Sequence, residues 1–189
     1  MTPELHDLEA LREYVRSGGA PAYLLFSGHT AKEGAVGKEC LSQWYPAPFA
    51  VAEVVYPTME HFMMASKARL FGDEETAAKI LKAPNPGSAK RFGREVRGFH
   101  DATWNEQRID IIIEGGLAKF SQHPRLRDFL LSTGDRVLVE ASPSDRIWGI
   151  GLAADDALAA TPETWNGLNL LGFSLMQVRS RLVAGPVAD

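Results

Sequence analysis

The stretch "VVYPTMEHFMMASKARLF", Val54 to Phe71, sets an acid and a base inside an apolar run. Glu60 and Lys67 are seven residues apart, with Met64 between them. On an α-helix that spacing returns to nearly the same face, with about 20° of drift. A carboxyl removed from water has a raised pKa and an ammonium a lowered one. Such groups suit general acid–base work, and a desolvated lysine suits nucleophilic or imine chemistry. The same pattern also fits a solvated stripe on an amphipathic helix, with Met63 and Met64 filling gaps in a core.

A second constellation is "SPSDRIWGIGL". Asp145 stands three residues before Trp148, and Gly149 and Gly151 follow. Glycines allow close backbone approach to a ligand, an aromatic face stacks on a heterocycle, and a carboxylate stabilises a sugar cation. The alternative is a glycine-rich turn capped by Asp145, with Trp148 in the core. Downstream, Asn166 and Asn169 carry amides fit either for ribose hydroxyls or for capping. Trp44 and Trp104 are core candidates first. "NPGSAKRFGREV" offers a helix start with basic residues, suited to a phosphate. It lacks P-loop spacing, and neither G-x-S-x-G nor G-x-G-x-x-G occurs.

These residues need elements to hold them. Leu5, Leu8, Leu11, Tyr14 and Val15 predict a first helix over Pro3 to Arg16. "AYLLF" reads as a strand, and "CLSQWYPAPFAVAEVVYPT" as irregular chain with one or two short strands, such as Phe49 to Val55. Thr58 is a plausible N-cap for a helix running to about Leu70, and Asp73 caps a short one after it. "PNPGS" reads as a turn before the short helix "AKRFGREV". "HDATWNEQRIDIIIEGGLAKFSQ" is a long helix, loosened near Gly115-Gly116. "HPRLRDFLLST" is a further helix. "GDRVLVEAS" alternates like a strand, with Val137 and Val139 opposite Leu138. "DDALAATPETW" holds a surface turn or short helix, and "NLLGFSLMQVRSRLV" is the closing helix. Helices dominate, without the strand–helix alternation of a parallel α/β sheet.

Composition narrows the function. The 189 residues suit one domain over 1–189. A net charge of -4 does not imply broad binding to a nucleic-acid backbone. Cys40 is the single cysteine, and the five histidines (His6, His29, His61, His100 and His123) have no metal-ligand spacing. No apolar run approaches the roughly 20 residues that span a bilayer. The N-terminus is acidic and amphipathic, unlike a signal peptide. The expectation is a cytoplasmic protein without metal, cofactor or membrane partner.

Five stretches occur in the order expected of the NADAR superfamily: "CLSQWYPAPF", "YPTMEHFMMASKA", "ILKAPNPGSAKRFGR", "LAKFSQHPRLRDFLLSTGDRVLVEASPSDRIWGIG" and "GLNLLGFSLMQVRSRL". Together they resemble its YbiA-like N-glycosidase branch over roughly residues 24 to 182. The resemblance implies a mainly α, orthogonal-bundle-like YbiA-like fold with a few short β-strands. It implies hydrolysis of a C1'–N ribosyl bond in a phosphoribosylamino-pyrimidine of the riboflavin pathway or a related small nucleotide. Other branches act on ADP-ribose attached to guanine bases, so an ADP-ribosylated nucleobase in nucleic acid is an alternative substrate. A non-catalytic ADP-ribose or nucleotide-binding module is a second alternative. Carried over by position, the resemblance assigns catalysis to Glu60, Lys67 and Asp145. It assigns substrate binding to Gln43, Trp104, Trp148, Gly149 and Asn169. Gln43 stands where the family often has asparagine, and the segment after Gly149 is less polar than usual. The helix over 3–16 lies outside the motif set.

Overall fold

The structure, a computed structural model, describes residues 5–30 and 34–185. The described chain forms two compact units. One joins the residues before Gln43 to those after Pro124, and the other is the continuous segment Gln43–Pro124.

The discontinuous unit starts with helix α1 (Leu8–Arg16). Asp7 caps it by accepting the Ala10 amide at 2.8 Å, so the described helix starts five residues later than Pro3, which lies outside the described residues. Strand β1 (Tyr23–Phe26) pairs in parallel with β4 (Val137–Glu140), Tyr23 opposite Val137 and Phe26 opposite Glu140. Val137, Leu138 and Val139 are all fully buried, so β4 is covered on both faces rather than on alternate sides. Helix α7 (Leu170–Ala184) packs along β4, and α6 (Pro124–Ser132) precedes that strand. The segment 157–164 forms two short 3₁₀ turns. Leu8 and Leu11 join Val137, Val139, Ile150, Trp165 and Phe173 in the core of this unit.

The continuous unit opens with a hairpin, β2 (Phe49–Val51) and β3 (Val54–Tyr56), where one or two short strands were expected. Ala52 and Glu53 both have positive φ, 46° and 65°. Two such residues make the tight turn that matches strand twist, usually signalled by Asn-Gly or Asp-Gly. "AE" carries no such signal, which hid the reversal. The Gln122 side chain bonds both backbone groups of Ala50, at 2.8 and 2.9 Å, and so secures the β2 edge.

Helix α2 (Met59–Leu70) follows, with the Thr58 side chain as the expected N-cap. It is surrounded by α3 (Glu74–Leu81), α4 (Pro86–Gly93) and α5 (Asp101–Gln122). Every residue from Met59 to Ala65 is buried, so its first two turns are covered all round rather than along one stripe. Asp73 caps α3. Asn85 caps α4 by accepting the Ser88 amide, which draws the expected turn into the helix. Helix α5 runs unbroken through Gly115 and Gly116. At Gly115 a Cβ would lie 2.5 Å from the Phe62 ring and 3.0 Å from Met59 Cε. That glycine permits a close helix contact rather than a break. Phe62 in turn meets Tyr56 at 5.0 Å and Phe49 at 5.7 Å between ring centroids, which ties α2 to the hairpin.

Candidate active site

Glu60 occupies the first turn of α2 and is 1% exposed. Its Oε2 accepts a hydrogen bond from Trp44 Nε1 at 3.2 Å. The amide of Glu60 donates to the Gln43 carbonyl at 3.0 Å. The Gln43 side chain is buried as well, its Nε2 facing Met63 Sδ at 3.5 Å. The loop carrying Gln43 and Trp44 is therefore fastened to the helix start that carries Glu60.

Two turns along α2, Lys67 is half-buried. Its Nζ donates to the Gly93 carbonyl at 2.8 Å, and lies 4.2 Å from the centroid of Phe99 and 5.8 Å from that of Trp104. Burial pushes the Lys67 pKa down, and nearby Asp101 partly opposes the shift. Trp104 itself is buried on α5. Asp73 fixes the approach to these aromatics. Its carboxylate takes the Arg97 amide at 2.9 Å and the Arg97 guanidinium at 2.6 Å, which pins the chain entering Phe99. Those hydrogen bonds hold the Asp73 carboxyl well below the usual carboxylate range.

Helix α4 connects the two charges. Gly87, in its first turn, faces the ring edge of Trp44, the donor to Glu60. Gly93, its last residue, supplies the carbonyl that receives Lys67. Six residues of α4 rise about 9 Å and seven of α2 about 10 Å, so the two helices run in the same direction. The positive end of the α4 dipole lies toward the carboxylate, and the negative end toward the ammonium. Both charges thus lie in complementary fields, about two helical turns of backbone serving as the ruler between them.

The remaining expected residues belong to the other unit. Asp145 Oδ1 accepts the amides of Ile147 at 2.9 Å and Trp148 at 2.8 Å, which fixes the turn. Trp148 is buried. Gly149 lies where a Cβ would come within 2.8 Å of the Glu140 carbonyl, and its own carbonyl accepts the Asn169 amide at 3.1 Å. Asn169 is fully buried with φ 54° and ψ 35°. Its side chain bridges β4, with Oδ1 accepting from Glu140 N and Nδ2 donating to Leu138 O, both at 2.9 Å. The expected ribose amide is therefore committed to strand β4 and starts α7. Asn166 is exposed, and its backbone amide donates to Ile150 O at 3.0 Å.

The structure adds Lys119, and Trp44, read from the sequence as a core candidate, to the expected site residues. Lys119 is 1% exposed on α5, its Nζ 5.5 Å from the Tyr45 ring centroid. It lies one turn beyond Gly115, on the side of α5 that meets α2. A lysine four residues after a contact glycine in an apolar helix is the signal that would have found it. Among the described residues no group of three metal-ligating side chains occurs, and no helix is long and apolar enough to cross a membrane.

Comparison with known proteins agrees with this architecture. The NADAR domain family matches residues 26–183. The chain is similar to an N-glycosidase of Acanthamoeba polyphaga mimivirus, 43% identical over 164 residues, 83% of this chain and 94% of that protein. It is also similar to the chloroplastic riboflavin biosynthesis protein PYRR of Zea mays, 36% identical over 137 residues, 68% of this chain and 20% of that longer protein. The NMR structure of the E. coli protein YbiA matches with a TM-score of 0.67 and 27% identity, covering 87% of this chain and 88% of that one. The mainly helical fold with few short strands, expected from the motifs, is the one these comparisons share. On the family match and the likeness to YbiA together, the chain belongs to the NADAR family, in its YbiA-like branch.

Proposed function

We propose that this protein is a hydrolase of N-glycosyl bonds that cleaves the C1'–N bond of a small ribosylated nitrogen base. The observation that carries the reading is the pairing, along one buried helix, of a fully buried carboxylate and a desolvated lysine. Similarity to a mimivirus protein named as an N-glycosidase supports the reaction class. Similarity to a riboflavin biosynthesis protein supports a phosphoribosylamino-pyrimidine as substrate.

Breaking the C1'–N bond builds positive charge on the ribose and negative charge on the leaving nitrogen. Glu60 in its acid form delivers a proton to that nitrogen, and as the carboxylate it faces the sugar cation. The Trp44 indole fixes the orientation of the carboxylate. Neutral Lys67 donates its lone pair to C1' as the C1'–N bond breaks. Ring opening and loss of the amine proton then give an imine, which water hydrolyses to release the sugar. Its lowered pKa enlarges the neutral fraction near neutral pH, so the rate rises with pH through the Lys67 titration. Trp104 walls the heterocycle, and the resemblance adds Gln43 and Trp148 as substrate contacts. It also adds Asp145 as a second carboxylate.

The test is incubation with a panel of N-ribosides, which includes phosphoribosylamino-pyrimidines and an ADP-ribosylated guanine base, with chromatography of the released base and sugar. Wild type releases base; Glu60→Gln lowers the rate by about 10²–10⁴. Lys67→Ala abolishes the adduct that borohydride traps. Asp145→Asn keeps an oxygen to cap the turn and removes only the charge. Full turnover by both Glu60→Gln and Lys67→Ala would sink the assignment. Tight ADP-ribose binding with no base released from any substrate would favour a binding module.

A further inference from the structure

Arg108 on α5 has no hydrogen bond or ion pair among the described residues, and its Nε is fully buried. A buried unpaired donor costs about 1–3 kcal/mol, more when charged, so such a group calls for a partner. No carboxylate offsets it: burial alone perturbs the Arg108 guanidinium, which it pushes down. Salt bridges elsewhere in the chain do engage arginines, as at Arg12, Arg16, Arg69 and Arg97. Arg136, also half-buried, has backbone carbonyls as partners, whereas half-buried Arg108 has neither an ion pair nor a hydrogen bond among the described residues.

Its place on the helix gives the unpaired donor a meaning. Arg108 lies one turn after Trp104 and two turns before Gly115, which packs on Met59 and Phe62 of α2. It therefore shares the α2-facing side of α5. Trp104, one turn away, has its ring 5.8 Å from the Lys67 ammonium. Arg108 thus follows, by one turn of α5, the indole that Lys67 approaches, and Asp101 is the acid that acts on Lys67.

We propose that Arg108 is the anion ligand of the active site and binds a phosphate group of the substrate, with Trp104 stacking beside it. The guanidinium presents a planar fork matched to phosphate. A phosphorylated ribosyl compound is then preferred over the bare riboside. This inference rests on the N-glycosidase reading only for the identity of the site, because anion binding is measurable without turnover.

The experiment is calorimetric titration of the full chain with ribose 5-phosphate and with ribose, for wild type, Arg108→Lys and Arg108→Met. Wild type is expected to bind ribose 5-phosphate more tightly than ribose. Arg108→Met should lose about tenfold to a hundredfold of affinity for the phosphate ester only, with a melting temperature at or above that of wild type, since it removes the unpaired donor. Arg108→Lys should recover part of it, since a lysine keeps the charge and loses the fork. On any substrate that turns over, KM rises for Arg108→Met and kcat changes little. If Arg108→Met melts early, Arg108→Gln is read instead. Equal affinity of wild type for the two ligands, or no loss on substitution, overturns the proposal. Arg108-dependent phosphate binding with no base released from any N-riboside overturns the glycosidase reading and leaves the anion site standing.

Discussion

Replacing Gly115 by alanine probes the contact that seats the carboxylate. The new methyl would lie 2.5 and 2.7 Å from two Phe62 ring atoms and 3.0 Å from Met59 Cε. Ordinary carbon contacts need about 3.5–4.0 Å, so helix α2 or the ring must move by about 1 Å. Phe62 is held by Tyr56 and Phe49, and is 2% exposed, so it has little room to rotate. Overpacking of this kind costs about 1–3 kcal/mol. Alanine returns about 1 kcal/mol because it favours the helix more than glycine does. The net is a loss of about 0–2 kcal/mol, at most about 8 °C in Tm for a chain of this size. Met59 and Phe62 flank Glu60 in sequence, so displacement also shifts the carboxylate; a misplacement near 1 Å lowers turnover by about 10². Thermal melting and base release are measured on the same preparation. Phe62→Leu added to Gly115→Ala should restore part of both. A Gly115→Ala protein that melts at or above wild type, with full turnover, would show that the close approach of α5 to α2 does not position Glu60.

Two further predictions concern buried polar groups. Asn169→Ala leaves Leu138 O and Glu140 N without their side-chain partners and puts alanine at φ 54°. The expected loss is about 3–5 kcal/mol by denaturant titration, of which Asn169→Gly should recover about 1 by relieving the backbone. A loss under about 1 kcal/mol for Asn169→Ala would contradict the strand-bridging role. His61 is buried and neutral: Nε2–H donates to Ala83 O at 3.1 Å, and Nδ1 accepts from the Thr58 hydroxyl at 2.8 Å. Burial lowers its pKa, with the Ala83 contact opposing. The unfolded chain takes a proton as pH falls through about 6.5, while the folded imidazole takes one only at lower pH. Stability is therefore complete above about pH 7 and declines below pH 6.5. His61→Gln should flatten that decline between about pH 7 and 5 in urea midpoints; an unchanged slope would assign it elsewhere.

Periodicity and caps made much of this fold readable along the chain. Thr58, Asp73 and the apolar spacing of α1 are local signals, and local hydrogen bonding decides them. The β2–β3 reversal was not readable, because Ala52 and Glu53 take left-handed conformations that their types rarely adopt. Gly115-Gly116 looked like a weak point in α5, but packing against Phe62 outweighs the helix penalty of glycine. For the site, the sequence alone set Glu60 and Lys67 on one face of one helix, since seven-residue spacing is a property of the backbone. Whether those charges meet water depends on atoms far along the chain: Trp44 for Glu60, and Gly93, Phe99 and Trp104 for Lys67. Asn169 shows the same limit, because its amide is claimed by β4, some thirty residues earlier. Spacing determines which side chains share a direction. Burial and partner choice arise only when distant segments close around them, and tertiary structure alone decides that.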